Sequence, residues 1–132
     1  MVSIFRRFPV PVWFGKSKST VVFALPGNPL SCQVNFVLFV APFLNASYGI
    51  ENKKPIKIPI AISKMKKGTL DVFYPSKIIQ KNDGLSVMPL PFNGSGDIRA
   101  TKDSDGIVLH EASTLKLNEG DLVFFYPWVS AI

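Results

Sequence analysis

Thr20-Val-Val-Phe-Ala-Leu-Pro-Gly-Asn-Pro-Leu-Ser31 decides how this chain is built. Residues 20–25 are a β-branched and aromatic run closed by Pro26, the pattern of a short central strand covered on both faces in a larger sheet. A helix start follows. Asn28 is placed to cap it, and Pro29 occupies the first helical position, where a missing N–H costs nothing. Leu30, Val34, Val37, Leu38 and Ala41 share one face of that helix, and Cys32, Phe36, Phe39, Val40 and Phe43 lie on the other. With only Ser31, Gln33, Asn35 and Asn45 polar, the helix is apolar nearly all round and needs cover from more than one side. Pro42 removes one helical hydrogen bond and is expected to kink the last turn. In Ala46-Ser-Tyr-Gly49 the glycine is the expected C-terminal stop.

Residues 19–50 carry no charge, so hydropathy alone would admit a transmembrane helix of roughly 20 residues. The punctuation at residues 25–29, and Pro42 further on, argue instead for a buried strand, a tight loop and a buried helix, with no membrane contact. No secretory signal is expected at the start, where Pro9 and Pro11 break the short apolar stretch. Across its 132 residues the chain is 47% hydrophobic and 18% charged, enough apolar material for a packed core and against a disordered class. Fifteen Lys and Arg against nine Asp and Glu give +6, which favours phosphate, nucleic acid or acidic surfaces without choosing among them. One cysteine and one histidine exclude a disulfide framework and leave few ligands for structural zinc; a reducing cytoplasm fits best.

At Glu51-Asn-Lys-Lys-Pro55 the composition changes to a charged hinge. Beyond it the chain reads as short strands at residues 56–63, 69–74, 77–80, 85–90, 107–111 and 122–128. Gly68, Gly84, Gly94, Gly96, Gly106 and Gly120 stand in the intervening turns, where positive φ is cheap for glycine. The fold class expected is mainly β with a short α/β part. Residues 1–52 form a strand-loop-helix unit of an α/β domain and residues 53–132 a small C-terminal β-barrel. One strand and one all-round apolar helix cannot bury themselves, so the first part is expected to be the remnant of a larger α/β domain.

The chemistry-bearing stretch is Leu25-Pro26-Gly27-Asn28-Pro29-Leu30-Ser31. Between a strand and a helix it presents the N–H groups of Leu30, Ser31 and Cys32 to an oxyanion, and Gly27 would let a ligand approach the backbone. The same residues also make a tight turn and a cap, and the residues alone leave both readings open. Asp103-Ser-Asp-Gly106 resembles the start of a calcium loop but lacks the later glutamate, and is read as a hairpin turn. His110 has no second histidine or cysteine beside it in sequence, and is given a packing or surface role. Cys32 is read as a buried small hydrophobe. Lys64, Lys66 and Lys67, with Lys53, Lys54 and Lys57, are read as a solvated basic face.

Leu25-Pro-Gly-Asn-Pro-Leu-Ser31, with Pro11-Val-Trp-Phe-Gly15 before it and Val34-Asn-Phe-Val-Leu-Phe-Val-Ala-Pro42 after it, resembles the closing segment of the MogA-like molybdopterin-binding domain of MoeA proteins. Asn93-Gly-Ser-Gly96, Asp105-Gly-Ile-Val-Leu109 and Glu119-Gly-Asp-Leu-Val123 are similar, in the same order, to the C-terminal β-barrel of that family. The resemblance implies molybdenum insertion: adenylylated molybdopterin and molybdate are taken up, and molybdenum cofactor and AMP are released, with magnesium as the metal. It also points to the E domain of gephyrin, which adds receptor scaffolding.

By resemblance Pro26 and Pro29 line the substrate cleft, with Gly27, Asn28 and Ser31 shaping the anion site, and Ser95, beside Gly94, acts from the barrel. The family's Lys-Pro-Gly-Lys-Pro is here Arg7-Phe-Pro-Val-Pro11, so Arg7 keeps one charge and Val10 loses the other. Pro75 stands near the family's barrel arginine, and Lys77, two residues on, is a substitute on the same strand face. The family's catalytic aspartates fall outside this chain. No catalytic or metal-ligating residue is therefore assigned, and the segment alone is expected to be inactive. The phosphorylated pterin is the expected ligand and a homodimer the expected assembly, through the exposed faces of the helix. Two rival readings are a basic β-barrel that grips RNA or protein, with Phe73, Tyr74 and Phe92 as stacking platforms, and an inactive structural segment.

Overall fold

A computed structural model describes residues 2–4, 12–93 and 98–128. Three antiparallel strands, β1 (Val2–Ile4), β2 (Val12–Lys16) and β3 (Val21–Ala24), form a small sheet in that order. A helical run follows: α1 (Pro29–Asn35), a π-helical turn (Phe36–Val40) and α2 (Ala41–Ser47). Then come β4 (Ile56–Pro59), β5 (Lys64–Met65), β6 (Val72–Lys81), β7 (Gly84–Pro89), α3 (Ile98–Lys102), β8 (Gly106–His110), β9 (Lys116–Leu117) and β10 (Leu122–Pro127).

The strand at residues 20–25 differs from the expectation of a central, doubly covered strand. Among the described residues β3 is an edge, paired only with β2 from Lys16↔Val21 to Trp13↔Ala24, and Val22 is exposed. Its partner is local: the N–H of Ser17 donates to the Thr20 carbonyl at 2.8 Å and turns β2 into β3 as a hairpin. A continuous apolar run therefore marked a half-covered strand, because the neighbouring segment, with Trp13 and Phe14, was itself a strand.

The helix continues past Pro42, as its expected stop at Gly49 requires. Proline has no N–H for the carbonyl four residues back, and its ring crowds that carbonyl. The chain widens by one residue instead: the Ala41 N–H donates to the Phe36 carbonyl, five back, and the helix runs on to Ser47. The run Pro29–Ser47, 19 residues, is long and apolar enough to cross a membrane by length and composition alone. It ends as expected. Gly49 adopts φ +69°, its N–H donates to the Ala46 carbonyl, and the Ile50 N–H reaches the Asn45 carbonyl at 2.8 Å.

Residues beyond the hinge form a five-stranded antiparallel sheet in the order β4-β10-β8-β6-β7. The sheet curls until its edges meet: Ile60 bridges Val87, and the Ala61 N–H donates to the Val87 carbonyl at 2.8 Å. Ile58, Ile60, Val87, Val108, Leu117, Val123 and Phe125 fill the inside. On the outside, Leu30 and Val34 of α1 pack on Ile107, with Phe73, Tyr126 and Trp128 around them. The barrel thus supplies one cover for the helix, and Phe23 of β3 supplies part of another, 5.4 Å from the Phe43 ring. The architecture is mainly β with a short α/β part, as the sequence suggested.

Three details differ from the sequence reading. Residues 69–74 and 77–80 are not separate strands, because β6 runs straight through Pro75. The Pro75 carbonyl accepts from the Leu90 N–H, just past the β7 ladder, and a residue in an antiparallel strand points its N and its C=O to the same neighbour. The missing N–H therefore costs no bond to β8. Asp103-Ser-Asp-Gly106 is not a hairpin turn but the link from α3 into β8. Gly106 does not serve a positive φ either: a Cβ there would collide with the Tyr126 carbonyl oxygen, the Phe125 ring at 2.7 Å and the Pro127 Cα at 2.8 Å.

Candidate ligand-binding site

The Pro26–Ser31 loop leaves the end of β3 and enters α1, so the hairpin and the helix–barrel contact fix its two ends. Gly27, Asn28 and Pro29 are exposed, Pro26 is half-buried and Ser31 is buried. Asn28 is extended (φ −68°, ψ 127°) and its side chain makes no capping bond, contrary to the sequence expectation. Pro29 at the first helical position fixes the entry without it, and the carboxamide is left facing outward. The Cys32 N–H is not available to a ligand, since it donates to the Asn28 carbonyl at 2.8 Å. Leu30 and Ser31 alone have N–H groups ahead of that first helical bond.

Gly27 is the most informative residue of the loop. Its φ lies outside the left-handed region, and an added Cβ would meet no atom within 4 Å. Nothing in the described chain asks for glycine there. Ser31 is turned inward, and its carbonyl accepts from the Asn35 Nδ2 at 2.8 Å. Cys32 is half-buried and unpaired in a disulfide, less enclosed than expected.

Lys77 is exposed on β6, paired with Met88. Strand alternation sets it on the face of Phe73 and Pro75, the face on which α1 rests. Arg7, Gly94 and Ser95 lie outside the described residues. Among those described, no three His, Cys, Asp or Glu side chains gather as a metal donor set.

Two features escaped the sequence reading. A cleft of about 570 Å³ lies between the far part of the helix and β10, lined by Phe36, Leu38, Asn52, Lys54, Tyr126 and Trp128 among others. Asn52 holds its rim, donating from Nδ2 to the Pro42 carbonyl at 2.9 Å and accepting from Asn45 at 3.1 Å. No local motif announces a cleft whose walls are about 80 residues apart in the chain. The second feature is the interior around His110, which is fully buried with Nδ1 3.1 Å from the Tyr74 hydroxyl. Here a signal existed: His110 follows Val108 by two, on the inward face of β8.

Burial lowers the His110 pKa from its ordinary value; the Thr114 main chain opposes this, and the charges of Lys66 and Lys64 add to it. Burial likewise raises the Tyr74 hydroxyl. The basic stretch is correspondingly not one solvated face. Lys66 is buried, its Nζ 2.6 Å from the Glu111 carbonyl and 3.0 Å from that of Leu70. Lys64 stands over the Tyr74 ring and Lys57 over Phe124. Tyr74 is buried and Phe73 meets Tyr126 edge-on, so neither presents an open stacking platform.

No protein-family model matches the chain. Two curated proteins named molybdopterin molybdenumtransferase, from two strains of Staphylococcus epidermidis, are each 27% identical over 104 residues, covering 77% of this chain and 25% of their own length. The chain therefore spans about a quarter of these relatives. Among solved structures, a molybdopterin biosynthesis MoeA protein from Pyrococcus horikoshii superposes with a TM-score of 0.73 at 29% identity, over 92% of this chain and 30% of that one. A second MoeA structure from the same organism, at 23% identity and a TM-score of 0.66 over 86% of this chain, shares the fold. Motifs, barrel and relatives agree: this chain is a MoeA-type segment.

Proposed function

We propose that this segment forms one wall of a molybdopterin cleft in a molybdenum-inserting protein, and that its part is to position substrate rather than make bonds. The observation that carries the reading is Gly27, a glycine on an exposed strand-to-helix loop that neither φ nor packing among the described residues requires. Space kept clear of a side chain, next to the Leu30 and Ser31 N–H groups and an unused Asn28 carboxamide, suits the phosphate of a pterin. Pro26 and Pro29 fix the loop, and Lys77 adds positive charge from the barrel. Arg7, Gly94 and Ser95 enter from the resemblance alone.

In this reading the whole protein takes adenylylated molybdopterin and molybdate and releases molybdenum cofactor and AMP in the cytoplasm. Magnesium, which the resemblance implies, is proposed for the whole protein and is assigned to no residue of this segment. The proposed boundary near residue 52 separates the loop-bearing part from the barrel.

Calorimetric titration of molybdopterin into the 132-residue chain and into Gly27→Ala tests the reading. The added methyl meets open space, so folding should change by less than about 0.5 kcal/mol, while saturable binding should weaken at least about tenfold. Equal affinity in both proteins, or no binding by the folded parent chain, would remove the loop from the site.

A further inference from the structure

His110 is the chain's single histidine, and it is fully buried at the end of β8. The proposed function makes no use of it. Its Nδ1 is engaged with the Tyr74 hydroxyl, and its Nε2 is buried with no hydrogen-bond partner among the described residues. A small two-stranded flap, β5 paired with β9, is separate from the main sheet and is tied to the residues beside the imidazole, with Leu117 of β9 reaching into the inner core. The flap is held there by unusual fastenings. Lys66 buries its side chain to reach two backbone carbonyls, one of them on Glu111, the residue after His110, and its N–H donates to the Leu115 carbonyl. Lys64 rests its ammonium on the ring of Tyr74, the same residue that holds the imidazole.

We propose that protonation of His110 releases the β5–β9 flap, so that this end of the barrel opens in mild acid. The charged and titratable groups around the ring all point one way. From β6 comes Tyr74, and from β5 and the residue after it come Lys64 and Lys66. The one charge on β9, Lys116, is exposed. The carboxylates of Asp71 and Glu111 bear on the Tyr126 hydroxyl, and Asp71 also accepts from the Ala112 N–H. Protonation makes both ring nitrogens donors, Nδ1 toward the Tyr74 oxygen and Nε2 in a buried place where only the Thr114 main chain favours the charge, and it sets a third positive charge beside two lysines. The cheapest relief is to move the flap, which carries both lysines. The folded state holds the imidazole pKa below its unfolded value of about 6.5. The flap's hold is therefore complete above that pH and is lost as the pH falls below it.

The full 132-residue chain provides the test, since its one imidazole gives an unambiguous nuclear magnetic resonance titration. Amide exchange, corrected for the intrinsic pH dependence, reads the flap. Between pH 7.5 and 5.5 the protection of Lys66 and its β5–β9 neighbours should fall severalfold, up to the roughly tenfold that one group with an open-state pKa of about 6.5 can supply, with the β6–β7 hairpin changing by less than about twofold. His110→Gln should abolish that difference. Lys64→Gln, which removes one facing charge and leaves the imidazole in place, should raise the imidazole midpoint and shrink the loss of protection. An imidazole that titrates at or above its ordinary value with the flap still protected would overturn the proposal. So would equal loss of protection in flap and hairpin, or a Lys64→Gln variant with an unmoved midpoint.

Discussion

The helical run Pro29–Ser47 and the curled sheet beyond residue 55 are both rich in apolar residues, yet they bury them differently. The sheet closes on itself, and Val87, Val108 and Phe125 on its inside have no exposed surface. The helix can cover only one stripe at a time: Leu30 and Val34 are buried on the barrel, while Phe36, Leu44 and Tyr48 remain exposed. A curved sheet has an inside that its own period-two alternation fills, whereas a helix apolar all round needs neighbours on several sides. Apolar content alone therefore says little about stability. What matters is whether the element generates its own enclosure.

The sharpest way to break this comparison uses one residue type in both regions. Phe125→Ala empties a closed core and should cost about 3–5 kcal/mol in urea unfolding, whereas Phe36→Ala, at 45% exposure, should cost about 1 kcal/mol or less. Similar losses at both positions would mean that the helix is as enclosed as the barrel. A smaller effect is expected where β8 and β10 come closest. Gly106→Ala forces a methyl against the Tyr126 carbonyl and the Phe125 ring, and should cost about 1–3 kcal/mol, read as a lowered denaturation midpoint at unchanged slope. An unchanged midpoint would mean that the two strands part easily at this crossing.

How much of this was legible follows from the range over which each feature is determined. The helix start at Pro29, its stop at Gly49 and the barrel's longer strands β4, β7, β8 and β10 were readable because each is set by residues a few positions apart, whereas the short β5 and β9 and the helix α3 were not. The misreadings arose where a distant or geometric fact overrides the local rule. Pro75 reads as a strand breaker until it is known that its ring nitrogen faces the side where the β7 ladder has already ended. Pro42 reads as the loss of one helical bond, and that a π-turn takes up this loss is a matter of backbone geometry. Gly106 reads as a turn glycine, but its reason is a strand twenty residues away. For the candidate site, the loop and its exposed Gly27 were legible from one motif. The lack of a capping role for Asn28 and the helix's hold on the Cys32 N–H needed coordinates, because backbone dihedrals decide both.

The smallest expected effect on folding bears on what the uncovered helix face is for. Phe36→Gln and Leu44→Gln replace partly exposed apolar side chains with a good helix former, so each should change unfolding free energy by about 0.5 kcal/mol or less. Association is a different matter. These side chains, with Tyr48 and with Trp13 and Val22 of the neighbouring sheet, are apolar surface that water does not favour. If a second copy covers them, as the expected homodimer requires, the double variant should shift light scattering from dimer to monomer while the thermal midpoint at high dilution stays unchanged. A parent chain that is already monomeric at the same concentration would assign the face to something other than a second copy. In either case the helix differs from the barrel in the same way: its stability depends on what it is packed against.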